Sequence, residues 1–149
     1  MYSSRQVTAL KTDLILCPVD FSDCSSLAVG MVGRLAEPGR TKVILLHVIQ
    51  PGSEEDRPQS MASAWVKYAR NKLNEQALVD RSIDVKFLVH RGNPPELIVQ
   101  MADQERVDMI VMGTHGLSGW RKFMVGSVAQ DVMRHASCPV VTVRPPISH

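Results

Sequence analysis

The sequence predicts an α/β fold built on one parallel sheet, and three observations carry that expectation. Short β-branched runs alternate along the chain with longer stretches of helical periodicity, the pattern of successive βαβ units. Leu14-Ile15-Leu16-Cys17-Pro18-Val19 and Val43-Ile44-Leu45-Leu46-His47-Val48 are almost continuously apolar, as strands must be when helices cover both faces of a sheet. The 149 residues, 44% hydrophobic and 21% charged, suit a single domain with one core, and no stretch reads as a linker to a second one.

Taken in order, the first two runs are expected as central strands. Leu27, Met31, Val32 and Leu35 mark the helix between them as a stripe turned to the core. After the second strand, Pro51 to Gln59 is polar and acidic at Glu54-Glu55-Asp56, a surface loop with two available roles, closing over a ligand or, the favoured reading, a solvated connector. Met61, Trp65, Tyr68 and Ala69 form the next core stripe. Ile83, Val85, Phe87 and Val89 then alternate with Asp84, Lys86 and His90, which predicts an edge strand. Leu97, Ile98, Met101 and Ala102 mark a third helix, and Met109-Ile110-Val111-Met112, entered from Val107, a fourth strand. Val128, Ala129, Val132, Met133 and Ala136 mark a fourth helix, ending before Cys138-Pro139. Val140-Val141-Thr142-Val143 closes the sheet as its other edge.

Composition excludes several classes. No apolar stretch approaches the roughly 18 residues that span a bilayer, and Met1 to Lys11 lacks the apolar run of a signal peptide, so no membrane partner and a cytoplasmic location are expected. Cys17, Cys24 and Cys138 are odd in number and show no Cys-x-x-Cys spacing, which predicts reduced thiols and no zinc site. A net charge of +2, with no basic run interleaved with aromatics, argues against a nucleic-acid partner. There is no Gly-x-x-x-x-Gly-Lys-Ser/Thr, no Gly-x-Gly-x-x-Gly after the first strand, and no glycine in Asp20-Phe21-Ser22-Asp23 where a flavin loop would need one.

Ligands of open α/β sheets bind at the carboxyl ends of the strands where the strand order reverses. Two segments qualify here: Pro18-Val19-Asp20, and the stretch from Gly113 to Gly126. Gly113, Gly116, Gly119 and Gly126 let backbone N–H groups approach an anion closely, while Arg121 and Lys122 add positive charge. From Gly113 onward Arg121, Lys122, Arg134 and Arg144 face only Asp131. Ser127, with Gln130 three residues on, has the spacing of an N-cap and capping box, and the start of that helix is a natural phosphate site. Asp20 has two available roles, ligand contact or capping of the first helix. His115 faces either a phosphate or solvent, and His47 reads as a hydrogen-bonded structural residue.

Gly113-Thr114-His115-Gly116, nine residues, then Gly126-Ser127 resembles the Gly-x2-Gly-x9-Gly-Ser/Thr motif of the universal stress protein family, in its ATP-binding subgroup. Pro18-Val19-Asp20, His47-Val48, Arg91-Gly92-Asn93-Pro94 and Cys138-Pro139-Val140-Val141-Thr142-Val143 are similar to that family too, over about residues 12–144. The resemblance implies a Rossmann-like, adenine nucleotide alpha hydrolase-like sheet of five parallel strands in order 3-2-1-4-5, a homodimer, and ATP as ligand, with Mg2+ an open addition. It implies that Pro18, Val19 and Asp20 border adenine and ribose, with Val48 near the base. Met112, Gly113, His115, Gly116, Leu117 and Gly119 would wrap ribose and phosphates, and Gly126, Ser127, Val128 and Ala129 would hold the phosphate end. Trp120 departs from the pattern as a bulky residue within the loop.

Two-fold pairing through the apolar edge Val140–Val143 is expected, since such an edge invites a second chain. Three functions stand open at this level: a regulatory ATP-binding protein, a slow ATP hydrolase, and a nucleotide-independent dimeric interaction module. Hydrolysis would need a positioned base and metal carboxylates. No catalytic residue is assigned.

Overall fold

The computed structural model describes residues 12–71, 82–115 and 125–146. Its elements run β1 (Leu14–Pro18), α1 (Asp23–Leu35), β2 (Lys42–Ile49), α2 (Ser60–Asn71), β3 (Asp84–Arg91), α3 (Pro94–Glu105), β4 (Met109–Gly113), α4 (Ser127–His135) and β5 (Val140–Val143). The sheet has five strands in order β3-β2-β1-β4-β5, every neighbouring pair parallel. Register pairs Ile15 with Val43 on one side and with Met109 on the other. The order reverses beside β1, so the carboxyl ends of β1 and β4 part and leave a crevice between them.

The continuous apolar runs are explained by two cores. Successive strand residues point to opposite faces. Ile15, Cys17, Val43, Leu45 and Val111 pack under α1 and α2, while Leu16, Ile44, Leu46, Ile110 and Met112 pack against α3 and α4. On the edge strand β3, Phe87 and Val89 are buried and Asp84, His90 and Arg91 are exposed, matching the alternation. All four residues of β5, the opposite edge, are half-buried. Cys17 and Cys24 are buried, and none of the three cysteines is in a disulfide.

Helix orientation departs from the predicted stripes. Leu27, Leu35, Met61, Trp65 and Met133 are 39–46% exposed, whereas Ala28, Val29, Val32 and Ala64 meet the sheet. The small residues let the helix axes come close, and the larger apolar side chains are turned to the flanks. Trp65 still covers apolar surface, meeting the Phe87 ring edge-on at 4.7 Å between centroids. The side chains of Tyr68 and Ala69 lie outside the described residues.

Helix starts follow local chemistry. Asn93 Oδ1 accepts from the Glu96 amide ahead of Pro94, a residue suited to a first helical position. Ser22 caps α1 by accepting from the Ser25 amide at 3.2 Å. Asp20 is therefore not the cap itself. Its carboxylate accepts from the Ser22 amide at 3.0 Å and from the Ser22 hydroxyl, and so orients the residue that is.

Candidate functional site

The crevice beside the switch point has a volume of about 740 Å³. The end of β1 and the turn after it contribute Pro18, Val19 and Asp20 to its wall, β2 contributes His47 and Val48, and the end of β4 with the residues after it contributes Met112, Gly113, Thr114 and His115. Gly126, Ser127, Val128 and Ala129, at the start of α4, complete the far side. All of these but His47 and Thr114 are residues expected at the site, and they line one crevice from four parts of the fold. Gly116, Leu117 and Gly119, with Trp120, Arg121 and Lys122, lie outside the described residues.

Two glycines owe their identity to packing as well as to any ligand. A Cβ on Gly113 would lie 2.9 Å from the Cys24 carbonyl carbon, so the missing side chain seats α1 against β4. A Cβ on Gly126 would lie 2.9 Å from the Thr114 oxygen. Neither is a positive-φ turn glycine.

The start of α4 corrects the expected cap. Gly126, not Ser127, is the N-cap, and as a glycine it makes no side-chain cap bond. The Gly126 carbonyl accepts the first intrahelical bond from the Gln130 amide at 3.0 Å. The Gln130 side chain turns to the Val125 carbonyl at 3.0 Å and closes no capping box. The reason lies one residue upstream, where the Gly126 amide donates to Thr114 and pins the helix start one position early. Ser127 is thereby relieved of the cap position, and Ser127, Val128 and Ala129 line the crevice with the first turn, at the positive end of the helix dipole.

The wall formed after β2 is acidic, and Pro51 to Gln59 is more than a solvated connector. Ser53, Glu54 and Glu55 line the crevice. Glu55 Oε2 lies 3.0 Å from His47 Nε2, and Glu55 Oε1 accepts from Lys67 Nζ at 2.8 Å. Burial pushes the Glu55 carboxyl up, but Lys67 and His47 together hold it below its usual value. Asp56 accepts from Arg91 Nε at 2.6 Å and Nη2 at 2.8 Å, and from the Gly52 amide at 2.8 Å. Sequence reasoning missed Glu55 and Lys67 as lining residues. The acidic run just after a strand ending at the site was a usable signal for Glu55. Lys67 had none, because its approach depends on the path of α2.

His47 is buried, with Nδ1 2.8 Å from the Val19 carbonyl, in keeping with the structural role expected of it. Phe21 covers the imidazole at 4.8 Å between centroids and takes the left-handed conformation, φ 63°, to do so. That conformation costs a non-glycine residue about 1–2 kcal/mol. His115 Nδ1 lies 2.8 Å from the Thr114 hydroxyl and is half-buried at the crevice wall.

Strand order, crevice and helix terminus together define a doubly wound parallel α/β domain with its open site at the switch point. The chain belongs to the universal stress protein family, whose model matches residues 11–144. It is similar to universal stress protein MJ0577 of Methanocaldococcus jannaschii, 30% identical over 87% of this chain and 93% of that one. The solved structure of MJ0577 superposes with a TM-score of 0.76 at 32% identity, covering 92% of this chain and 99% of that chain. A universal stress protein solved in complex with cAMP (TM-score 0.68, 24% identity, 91% and 99% covered) shares the fold. So does one from Archaeoglobus fulgidus in complex with dAMP (TM-score 0.65, 21% identity, 91% and 99% covered). No helix among the described residues is long and apolar enough to cross a membrane.

Proposed function

We propose that this chain is a regulatory adenine-nucleotide-binding protein that takes up ATP and acts in the cytoplasm as a homodimer. One observation carries the reading: the first turn of α4, begun by a glycine N-cap, lines a crevice that also carries, after β1 and β2, the carboxylates of Asp20, Glu54 and Glu55. Phosphates belong at the helix terminus, where amide donors and the dipole favour negative charge, with the Ser127 hydroxyl as a further donor. The acidic wall repels phosphate and suits the base and ribose, whose amino and hydroxyl groups donate to carboxylates. Pro18, Val19 and Val48 supply apolar contact there. The relatives solved with cAMP and dAMP support an adenine nucleotide as the ligand class.

No group of three His, Cys, Asp or Glu among the described residues has the spacing to hold a metal ion. Mg2+ accompanying ATP would be held chiefly by phosphate oxygens and water, with one or two carboxylates at most from the protein. The homodimer rests on β5, which pairs with β4 on one side and offers its other edge to a second chain. Light scattering should give about 33 kDa, twice the 16.5 kDa chain, and a monomer mass in dilute solution would refute the pairing.

The test of nucleotide binding is to denature the purified protein, identify any co-purified nucleotide, and titrate nucleotide-free protein with ATP and AMP, with and without Mg2+. Stoichiometric ATP or ADP with micromolar rebinding is expected. A folded protein that yields no nucleotide and no heat overturns the reading.

A further inference from the structure

We propose that the segment between β2 and α2 is a proton-dependent strap on the crevice, closed by one proton held between His47 and Glu55 and released as pH rises. The argument starts from donors and acceptors. A backbone carbonyl only accepts, so His47 Nδ1, 2.8 Å from the Val19 oxygen, must carry a hydrogen. A neutral imidazole has no second N–H. Nε2 would then turn a bare lone pair toward Glu55 Oε2 at 3.0 Å, acceptor against acceptor. The observed contact needs one further proton, either on Nε2 facing a carboxylate or on Glu55 facing a neutral ring.

The surroundings assign that proton. Glu55 Oε1 also accepts from the Lys67 ammonium, which favours the ionised carboxylate, so the proton that the Oε2 contact needs sits on His47 Nε2. Each element against the ring contributes known groups. The β1–α1 turn brings Asp20 and the covering Phe21 ring, the strap brings Glu54 and Glu55, and α2 brings Lys67. β3 sets apolar Val89 beside His47, with Arg91 further along already paired to Asp56.

The strap has two ties of different kinds. The outer one, Asp56 to Arg91 and the Gly52 amide, stays ionised at neutral and alkaline pH, since the Asp56 carboxyl is held down at about 2. The inner one, Glu55 to His47, fails when the imidazolium loses its Nε2 proton. The Nδ1–H bond to Val19 survives that loss, so the β1 end of the site keeps its shape while Glu54 and Glu55 are freed from the crevice wall. That this sets the rate of nucleotide exchange rests on the adenine-nucleotide reading above. The strap itself does not.

The experiment follows the full-length chain, free of nucleotide, across pH. Nitrogen-15 shifts of the His47 ring report its protonation. Exchange of the Ser53 and Asp56 amides, bonded to Gln50 O and Ser53 O, reports the strap after correction for intrinsic rates. Their protection is expected to fall about tenfold or more on the His47 midpoint, the factor carried by losing one charge-assisted hydrogen bond. Glu55→Gln supplies the control, because its amide accepts from Nε2–H or donates to bare Nε2 and so ties the strap in both protonation states. Protection in that variant should be flat with pH. Protection that ignores the His47 midpoint, or a Glu55→Gln chain that titrates like the wild type, overturns the strap. In a second arm, release of a fluorescent ATP analogue should quicken on the same midpoint in the wild type only. If no analogue binds at any pH while protection tracks His47, the nucleotide reading fails and the strap stands. If the analogue binds and leaves at a pH-independent rate, the strap does not govern the site.

Discussion

The Gly126 amide donates to the Thr114 carbonyl at 2.6 Å, which ties the start of α4 to the end of β4 across the intervening loop. A Cβ on Gly126 would lie 2.9 Å from that same oxygen, too close to coexist with the bond. Its backbone, φ −61° and ψ 156°, is open to any residue, so the constraint is purely one of space. Gly126→Ala is expected to cost about 1–3 kcal/mol, the range for overpacking a fitted contact. ATP affinity should weaken with it as the helix terminus is displaced. Thermal unfolding and titration calorimetry on one preparation check both, and an unchanged Tm would show that the two segments part freely.

Ser127→Ala separates capping from ligand binding. Because Gly126, not Ser127, is the N-cap, the Ser127 hydroxyl is not the group that caps α4. Stability should stay within about 0.5 kcal/mol of the wild type. ATP affinity should fall about tenfold or more, as for one hydrogen bond lost to a charged group. A lower Tm with unchanged affinity would reverse the assignment.

How much of this was legible in the sequence depends on whether local pattern or three-dimensional path decides each feature. Leu14–Val19 and Val43–Val48 announce central strands, because only a sheet covered on both faces accepts unbroken apolar runs. Phe87 and Val89, alternating with polar neighbours, announce an edge for the complementary reason. Leu27 and Trp65 were misjudged because helical periodicity locates an apolar arc without saying which part of it meets the sheet, and small residues such as Ala28 and Ala64 took that place. Ser127 was displaced from the cap by one residue, through a bond to Thr114 that no local motif encodes. Glu55 was overlooked because its partners, His47 and Lys67, come from either side of the loop and meet it only once the loop has folded back.

Gly113→Ala tests whether the strand-end glycine is needed for packing. Its Cβ would meet the Cys24 carbonyl carbon at 2.9 Å and the Cys24 Cβ and oxygen at 3.0 Å, so α1 would have to lift from β4. A loss of about 1–3 kcal/mol is expected. Chemical denaturation of nucleotide-free protein measures it without any contribution from ligand. Full stability would mean that the glycine serves the ligand alone.

The Asp56–Arg91 pair gives the fold an acid-sensitive edge whose direction is fixed. Hydrogen bonds from the Arg91 guanidinium, then from the Gly52 amide, hold the Asp56 carboxyl at about 2, against about 4 for an unfolded aspartate. The unfolded chain therefore binds this proton first, and the stability that the pair contributes is present above pH about 4 and is lost as pH falls through about 2. Asp56→Asn should remove that part of the acid limb while leaving the neutral plateau parallel to the wild type. Salt should shrink the effect, since Arg91 is largely exposed. Carbon-13 titration of the Asp56 carboxyl is the direct check, and a midpoint near 4 would mean that the pair does not hold in solution. A midpoint near 2 would set the acid limit of the outer tie, just as deprotonation of His47 sets the alkaline limit of the inner one. Both ties would then be made together only between those two limits.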